Sequence, residues 1–182
     1  MGGDKKPDRF TPPLMYAFRA AFRDHDAKKP LDLKDESGER IIASRRASPR
    51  NVVNQTVLKD ELGEDLLSLL NTVNMDSCEE LSQYKQVRRS ILNYGLSELS
   101  AISIDESAVD GIASELKTAL LDYEPRLIAG TIAVERDRTV DAAHLKIRFN
   151  IHAEMLASPV DTPVEFIADL ELDSGKMKLS RL

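Results

Sequence analysis

Tryptophan is absent from this chain, cysteine occurs once, and only 5% of the residues are aromatic. A single thiol, Cys78, cannot close an intramolecular disulfide, so a cross-linked secreted scaffold is excluded and a reducing compartment suits the protein. Without tryptophan, no ring platform for stacking a sugar stands out. Long apolar runs are missing too: no stretch approaches the roughly 20 residues that a membrane helix needs. The opening MGGDKKPDRFTPPLMYAF lacks the apolar core of about 7–15 residues found in secretory signals. Lys6 stands where a myristoylation motif has Ser or Thr. The net charge of −6 argues against a general nucleic-acid binder, which needs a basic surface. These absences predict a soluble, acidic, cytoplasmic protein.

Catalytic signatures are equally scarce. There is no G-x-S-x-G elbow, no phosphate-binding loop and no G-x-G-x-x-G. His25, His144 and His152 have no Cys or His neighbours at ligand spacing, so neither a metal nor a cofactor is expected. Cys78 lies in MDSCEE, where acidic neighbours make a poor setting for a nucleophilic thiolate. Arg40, Arg45, Arg46 and Arg50 form the one basic cluster, and a partner-facing or solvated arm suits them better than nucleic acid on an acidic chain.

The periodicity divides the chain. Residues 1–47 hold Pro7, Pro12, Pro13 and Pro30 among alternating charged and apolar runs, and read as an extended arm with a short helix over 13–22. Residues 48–182 read as one domain. Ser48 and Pro49 signal a helix start, followed by the apolar stripe Leu62, Leu66, Leu69, Leu70 and Val73. A second helix is expected over 77–95, with Leu81, Tyr84, Val87, Ile91 and Leu92 inward and Gly95 at its end. Ser103 and Glu106 form a capping-box pattern before a third, whose stripe is Val109, Ile112, Leu116, Leu120 and Tyr123. Pro125 should end that helix at Glu124. The period then switches from 3.6 to 2. Residues 126–136 read as a deeply buried strand, 144–155 as a half-buried one, and 163–176 repeats the alternation before a turn into MKLSRL. Helices first and hairpin-linked strands afterwards predict an α+β fold with a small antiparallel sheet.

One stretch invites three readings. YEPRLI, residues 123–128, places Glu124, Pro125 and Arg126 at the seam between helix and strands. It could be a helix stop carrying an ion pair, a docking corner, or the site of a catalytic acid, with the chain a lysozyme-like peptidoglycan hydrolase using Glu124. The last needs two carboxylates facing each other across a sugar. Asp122 and Glu124 are two residues apart, a spacing that points them away from each other on a helix. No enzyme is expected on these grounds. Charges wedged beside a buried strand need partners, either each other or groups on another protein, and local chemistry leaves those two open.

DLLSLLNTVN (65–74), VRRSILNYGLSELSAIS (87–103), YEPRLI and the closing strands occur in an order that resembles the TssE family of type VI secretion baseplate components. More distantly, the chain resembles the baseplate wedge proteins of contractile-tailed phages, some of which carry a lysozyme label. The resemblance covers about residues 48–182, and Asn-Tyr-Gly-Leu and Glu-Pro-Arg are its most specific parts. It implies a structural subunit in a cytoplasmic baseplate at the inner membrane, beside TssF, TssG and TssK. It further implies that the sheet starts polymerisation of the contractile sheath proteins TssB and TssC, without nucleic acid or membrane insertion. Glu124, Pro125 and Arg126 would form the docking loop. On the strand 144–155 the exposed face, Lys146, Arg148, Asn150, His152 and Glu154, supplies candidate contacts. Two stretches depart from the family: VNMDSCEELSQ after the Leu-Asn-Thr segment, and the long proline-rich arm.

Overall fold

The structure is a computed structural model that describes residues 10, 13–23, 53–100, 106–138, 146–157 and 160–181. The chain divides into two compact units, Met1–Glu61 and Leu62–Leu182.

In the first unit, helix α1 (Leu14–Arg23) begins just after Pro13, whose carbonyl accepts the Tyr16 N–H at 3.0 Å. Its Leu14, Met15, Phe18 and Phe22 are exposed. Arg19 Nη1 donates to Glu61 Oε2 at 3.0 Å, giving that buried carboxylate the partner it needs. Helix α2 (Gln55–Leu70) starts later than Ser48 and Pro49 suggest. Val53 is held extended in an antiparallel bridge to Phe10, and Asn54 Oδ1 accepts the Val57 N–H at 2.9 Å as the cap. Ser48, Pro49, Ser103, His25, His144 and the arginines 40, 45, 46 and 50 lie outside the described residues.

The second unit is built on the stripes. Leu62, Leu66, Leu69 and Leu70 of α2 are buried, as are Val109, Ile112, Leu116 and Leu120 of helix α4 (Glu106–Tyr123). Fully burying each such side chain contributes roughly 1.5–3 kcal/mol before entropic costs. The sheet is an antiparallel meander in the order β1-β2-β3-β4: Ala133–Asp137, Lys146–Met155, Thr162–Glu171 and Met177–Arg181. Along β2, Ile147, Phe149, Ile151, Ala153 and Met155 are buried, and along β3, Val164, Phe166, Ala168 and Leu170. Gly63 of α2 passes so close to the sheet that a β-carbon there would lie 3.4 Å from the Phe166 ring.

Three expectations are corrected. Residues 77–95 are not one helix: they hold a single α-turn, α3 (Lys85–Arg88), with 3-10 turns at Met75–Ser77 and Ile91–Asn93. Side-chain oxygens compete for the backbone there, since Asn74 Oδ1 takes the Ser77 N–H and Ser90 Oγ the Leu92 N–H. Of the expected inward stripe, Leu81 is buried and Val87 half-buried, but Tyr84, Ile91 and Leu92 face out, Ile91 82% and Leu92 68% exposed. Val73 likewise leaves the α2 stripe and forms a parallel bridge to Leu96. Finally, residues 126–136 are not a continuous buried strand. A 3-10 turn, Ala129–Thr131, interrupts them, and β1 beyond it is only half-buried. Thr131 explains the break: its hydroxyl donates to the Ile128 carbonyl and accepts the Glu154 N–H, filling the place of a ladder partner.

The wet face of β2 and β3 carries cross-strand charges. Arg148 donates through Nε and Nη2 to Asp169 at 2.7 and 3.0 Å. That hydrogen bond holds the Asp169 carboxyl below its ordinary value against the opposing effect of burial. A depressed folded-state value means stability present above the unfolded value of about 4 and lost as pH falls through the folded one. In acid titrations of the unfolding midpoint, the advantage of wild type over Asp169→Asn should shrink below about pH 4, by under about 1 kcal/mol for so exposed a pair.

Candidate docking site

Helix α4 stops where Pro125 says it should. The Glu124 N–H still bonds to the Leu120 carbonyl at 3.1 Å, and the Glu124 carbonyl then accepts the Leu127 N–H at 3.1 Å to close a turn around Pro125. Leu127 and Met155 form an antiparallel bridge, flanked by Ile128 N–H to Glu154 O at 2.8 Å and Leu156 N–H to Arg126 O at 2.7 Å. Helix end and sheet are therefore joined through this corner.

The side chains of the triplet partner each other and one residue more. Glu124, 6% exposed, accepts at Oε1 from the Arg126 N–H (3.1 Å) and Nε (2.7 Å), and at Oε2 from Nη2 (2.5 Å). Arg126 Nη2 also reaches Asp65 Oδ2 of α2 at 2.7 Å. Burial works against the charge on Arg126, yet the hydrogen bonds and charge of Glu124, joined by Asp65, outweigh it and set its pKa above the ordinary value. Arg126 and Asp65 side chains each keep 27% of their exposure, and Pro125 is exposed. The corner is thus a clamp of one cation between two carboxylates, with a proline at its tip.

Glu124 does not fit the role of a catalytic acid. Both its oxygens are engaged by Arg126, and it does not line the large open groove of about 1210 Å³ beside α4. Asp122 lines that groove instead, 3.9 Å from Arg89.

The resemblance motifs converge on the clamp. Tyr94 packs edge-on against Tyr123, ring centroids 5.4 Å apart, and Tyr123 Oη donates to the Asn93 carbonyl at 2.7 Å. Burial raises the pKa of both phenols. Buried Asn93 accepts the Asp76 N–H at Oδ1 and donates through Nδ2 to the Arg88 carbonyl, fastening the loop. Gly95, at φ +122°, lets the chain cross Thr72, where a β-carbon would come within 2.2 Å of the Thr72 carbonyl oxygen.

The strand candidates lie elsewhere. Lys146, Arg148, Asn150, His152 and Glu154 share the wet face of β2, as the alternation requires, but β2 is flanked by β1 and β3 and is no edge. His152 is 3.7 Å from Glu165. Asp65 was missed by sequence reasoning, although it sits three residues after Leu62 and four before Leu69, a charge bordering an apolar stripe that had to find a partner. Among the described residues, no His, Cys, Asp or Glu cluster could hold a metal ion, and no helix is long and apolar enough to cross a membrane.

Residues 56–160, more than half of the 182, match the family model of the baseplate wedge protein gp25. That span includes α2 beyond its first residue, the clamp, β1 and β2, while β3 and β4 follow it. Searches among curated proteins and among solved structures return no match.

Proposed function

The chain belongs to the baseplate wedge protein gp25 family, and from that premise we propose that it is a structural baseplate subunit of a type VI secretion machine. It docks on wedge partners of the TssF, TssG and TssK kind at the cytoplasmic face of the inner membrane, and its sheet starts polymerisation of the sheath proteins TssB and TssC. The observation that carries this reading is the clamp: Glu124 engages both its oxygens with Arg126, and Arg126 engages Glu124 and Asp65, so that Pro125 is displayed on a corner tied down on both sides. Rigid presentation lowers the ordering cost of association, which is what a docking corner needs. Such a corner works by shape, with the partly exposed Arg126–Asp65 pair beside Pro125 as its polar rim.

The strand residues have a second role here. A sheet whose edge adds a strand from another chain gains backbone hydrogen bonds, and the wet-face residues Lys146, Arg148, Asn150, His152 and Glu154 lie beside that addition as a surface for the sheath subunit. Pro125→Glu tests the docking half. It puts a charge at the tip and leaves the ion pairs intact, so the protein should melt as wild type does. Captured from its native cell, the variant should bring down less than a tenth of the wedge proteins that wild type does. Equal recovery would rule out docking at this corner.

A further inference from the structure

Helix α1 turns its large apolar side chains the wrong way for a globular domain. Leu14, Met15, Phe18 and Phe22 are all exposed, Phe18 at 64%. At about 100° per residue, these four positions share one arc of about 100° around the helix axis. Tyr16, on the opposite side, is half-buried. Arg19 reaches back to the buried Glu61 carboxylate at 3.0 Å. The helix is thus tethered by its polar side, and the apolar arc is left outward. An apolar face kept out of the core marks a surface that meets something else. Because α1 precedes the matched residues 56–160, membership of the gp25 family does not say what that is.

Charge narrows the choice. The helix has arginines at 19 and 23 and no carboxylate. Residues 1–23 hold five basic residues, Lys5, Lys6, Arg9, Arg19 and Arg23, against Asp4 and Asp8, a net charge of +3. The total is −6, so the other residues carry −9. Leaving out Arg19, which is engaged with Glu61, still leaves this stretch positive. Phe and Leu on one face, with basic charge beside them, is the composition of helices that lie in the interface of an anionic bilayer. Four apolar side chains give only weak, reversible attachment, as a single acyl chain does, and attraction of the basic residues to anionic lipid adds the second signal. The acidic remainder opposes this little, since at 0.1 M salt charges beyond about 10 Å are screened. A second copy suits the face less well. A ten-residue helix is about 15 Å long, too short to bury the roughly 1,200 Å² of a stable interface. The helix also offers an arc, not its whole circumference, and an arc fits a plane better than a groove.

We infer that α1 is a membrane-surface helix. It lies along an anionic phospholipid surface, with Leu14, Met15, Phe18 and Phe22 dipped into the acyl boundary and the positive charge of residues 1–23 near the phosphates. It does not span the bilayer: no helix among the described residues is long and apolar enough to do so. The contact is separate from the docking corner and does not depend on it.

The absence of tryptophan makes the contact easy to test. Phe18→Trp gives the full chain its sole indole, at an exposed position where circular dichroism should stay that of wild type. With vesicles of phosphatidylcholine and phosphatidylglycerol in a two-to-one ratio, its emission should shift to the blue and be quenched by lipids brominated in the acyl chain. Wild-type protein should sediment with these vesicles at least tenfold more strongly than with phosphatidylcholine alone. That binding should fall in about 1 M salt, where the Debye length is about 3 Å. Phe18→Glu should bind at least tenfold more weakly than wild type. Val160→Glu makes the same charge change at an exposed residue outside α1 and should bind as wild type does. No blue shift with the anionic vesicles, or equal binding by Phe18→Glu and wild type, would overturn the inference. Equal losses in Phe18→Glu and Val160→Glu would reduce the effect to net charge and overturn the role of the helix. A blue shift that grows with protein concentration without vesicles would assign the face to a second copy, and one that appears only with wedge proteins would assign it to a protein groove. Either result overturns the membrane contact.

Discussion

Arg126→Ala should lower the free energy of unfolding by about 3 kcal/mol, the low end of the range for breaking a buried ion pair, because the guanidinium keeps about a quarter of its exposure. Removing it takes from buried Glu124 the two hydrogen bonds of the guanidinium, leaves it only that of the Arg126 backbone N–H, and sets its charge against that of Asp65. Denaturant titration measures the loss directly. A double-mutant cycle separates clamp from corner: with Glu124→Ala already present, no buried carboxylate is stranded, and Arg126→Ala should cost less than half as much. Strict additivity would mean that the two side chains do not act as a unit. A variant at Glu124 or Arg126 that fails to assemble sheath is therefore ambiguous between lost docking and lost fold, and Pro125 is the cleaner position for the functional test.

Gly95→Ala should be more damaging still, costing more than about 4 kcal/mol or abolishing folding. The new methyl would collide with the Thr72 carbonyl at a φ that side chains rarely adopt, and both atoms in collision belong to backbone. Relief would have to break the Leu96 N–H to Thr72 O bond of 2.9 Å and the Asn74 N–H to Leu96 O bond of 2.8 Å, which hold the crossing together. Gly130→Ala is the control, since a β-carbon there meets nothing within 4 Å. Its melting temperature should stay within a few degrees of wild type, and a comparable loss in the two variants would refute the close-crossing explanation.

How far the sequence disclosed this structure depends on the range of the interactions involved. The strand alternation in β2 and β3 and the α4 stripe were legible, because burial on one face imposes a period that survives in the residues themselves. The stop at Pro125 was legible for a local steric reason. The loop of residues 77–95 was misread because Leu81, Tyr84, Val87 and Ile91 fall at helical spacing, while the serine and asparagine side chains that capture the backbone give no periodic signal. Gly95 was marked as a helix terminator and proved to be a crossing point, so the residue was found and its reason was not. The partners of the site were hidden by distance along the chain. Nothing near Arg126 announces Asp65, because that contact exists only once the chain has folded.

A photoreactive cross-linker carried at position 125 in intact cells, followed by mass spectrometry of its adducts, probes the docking corner most directly. If the corner seats the protein in a baseplate, the adducts should be wedge proteins, and they should be lost when those proteins are deleted. A folded, abundant chain that yields no wedge-protein adduct from position 125 would contradict the docking role of Glu124, Pro125 and Arg126.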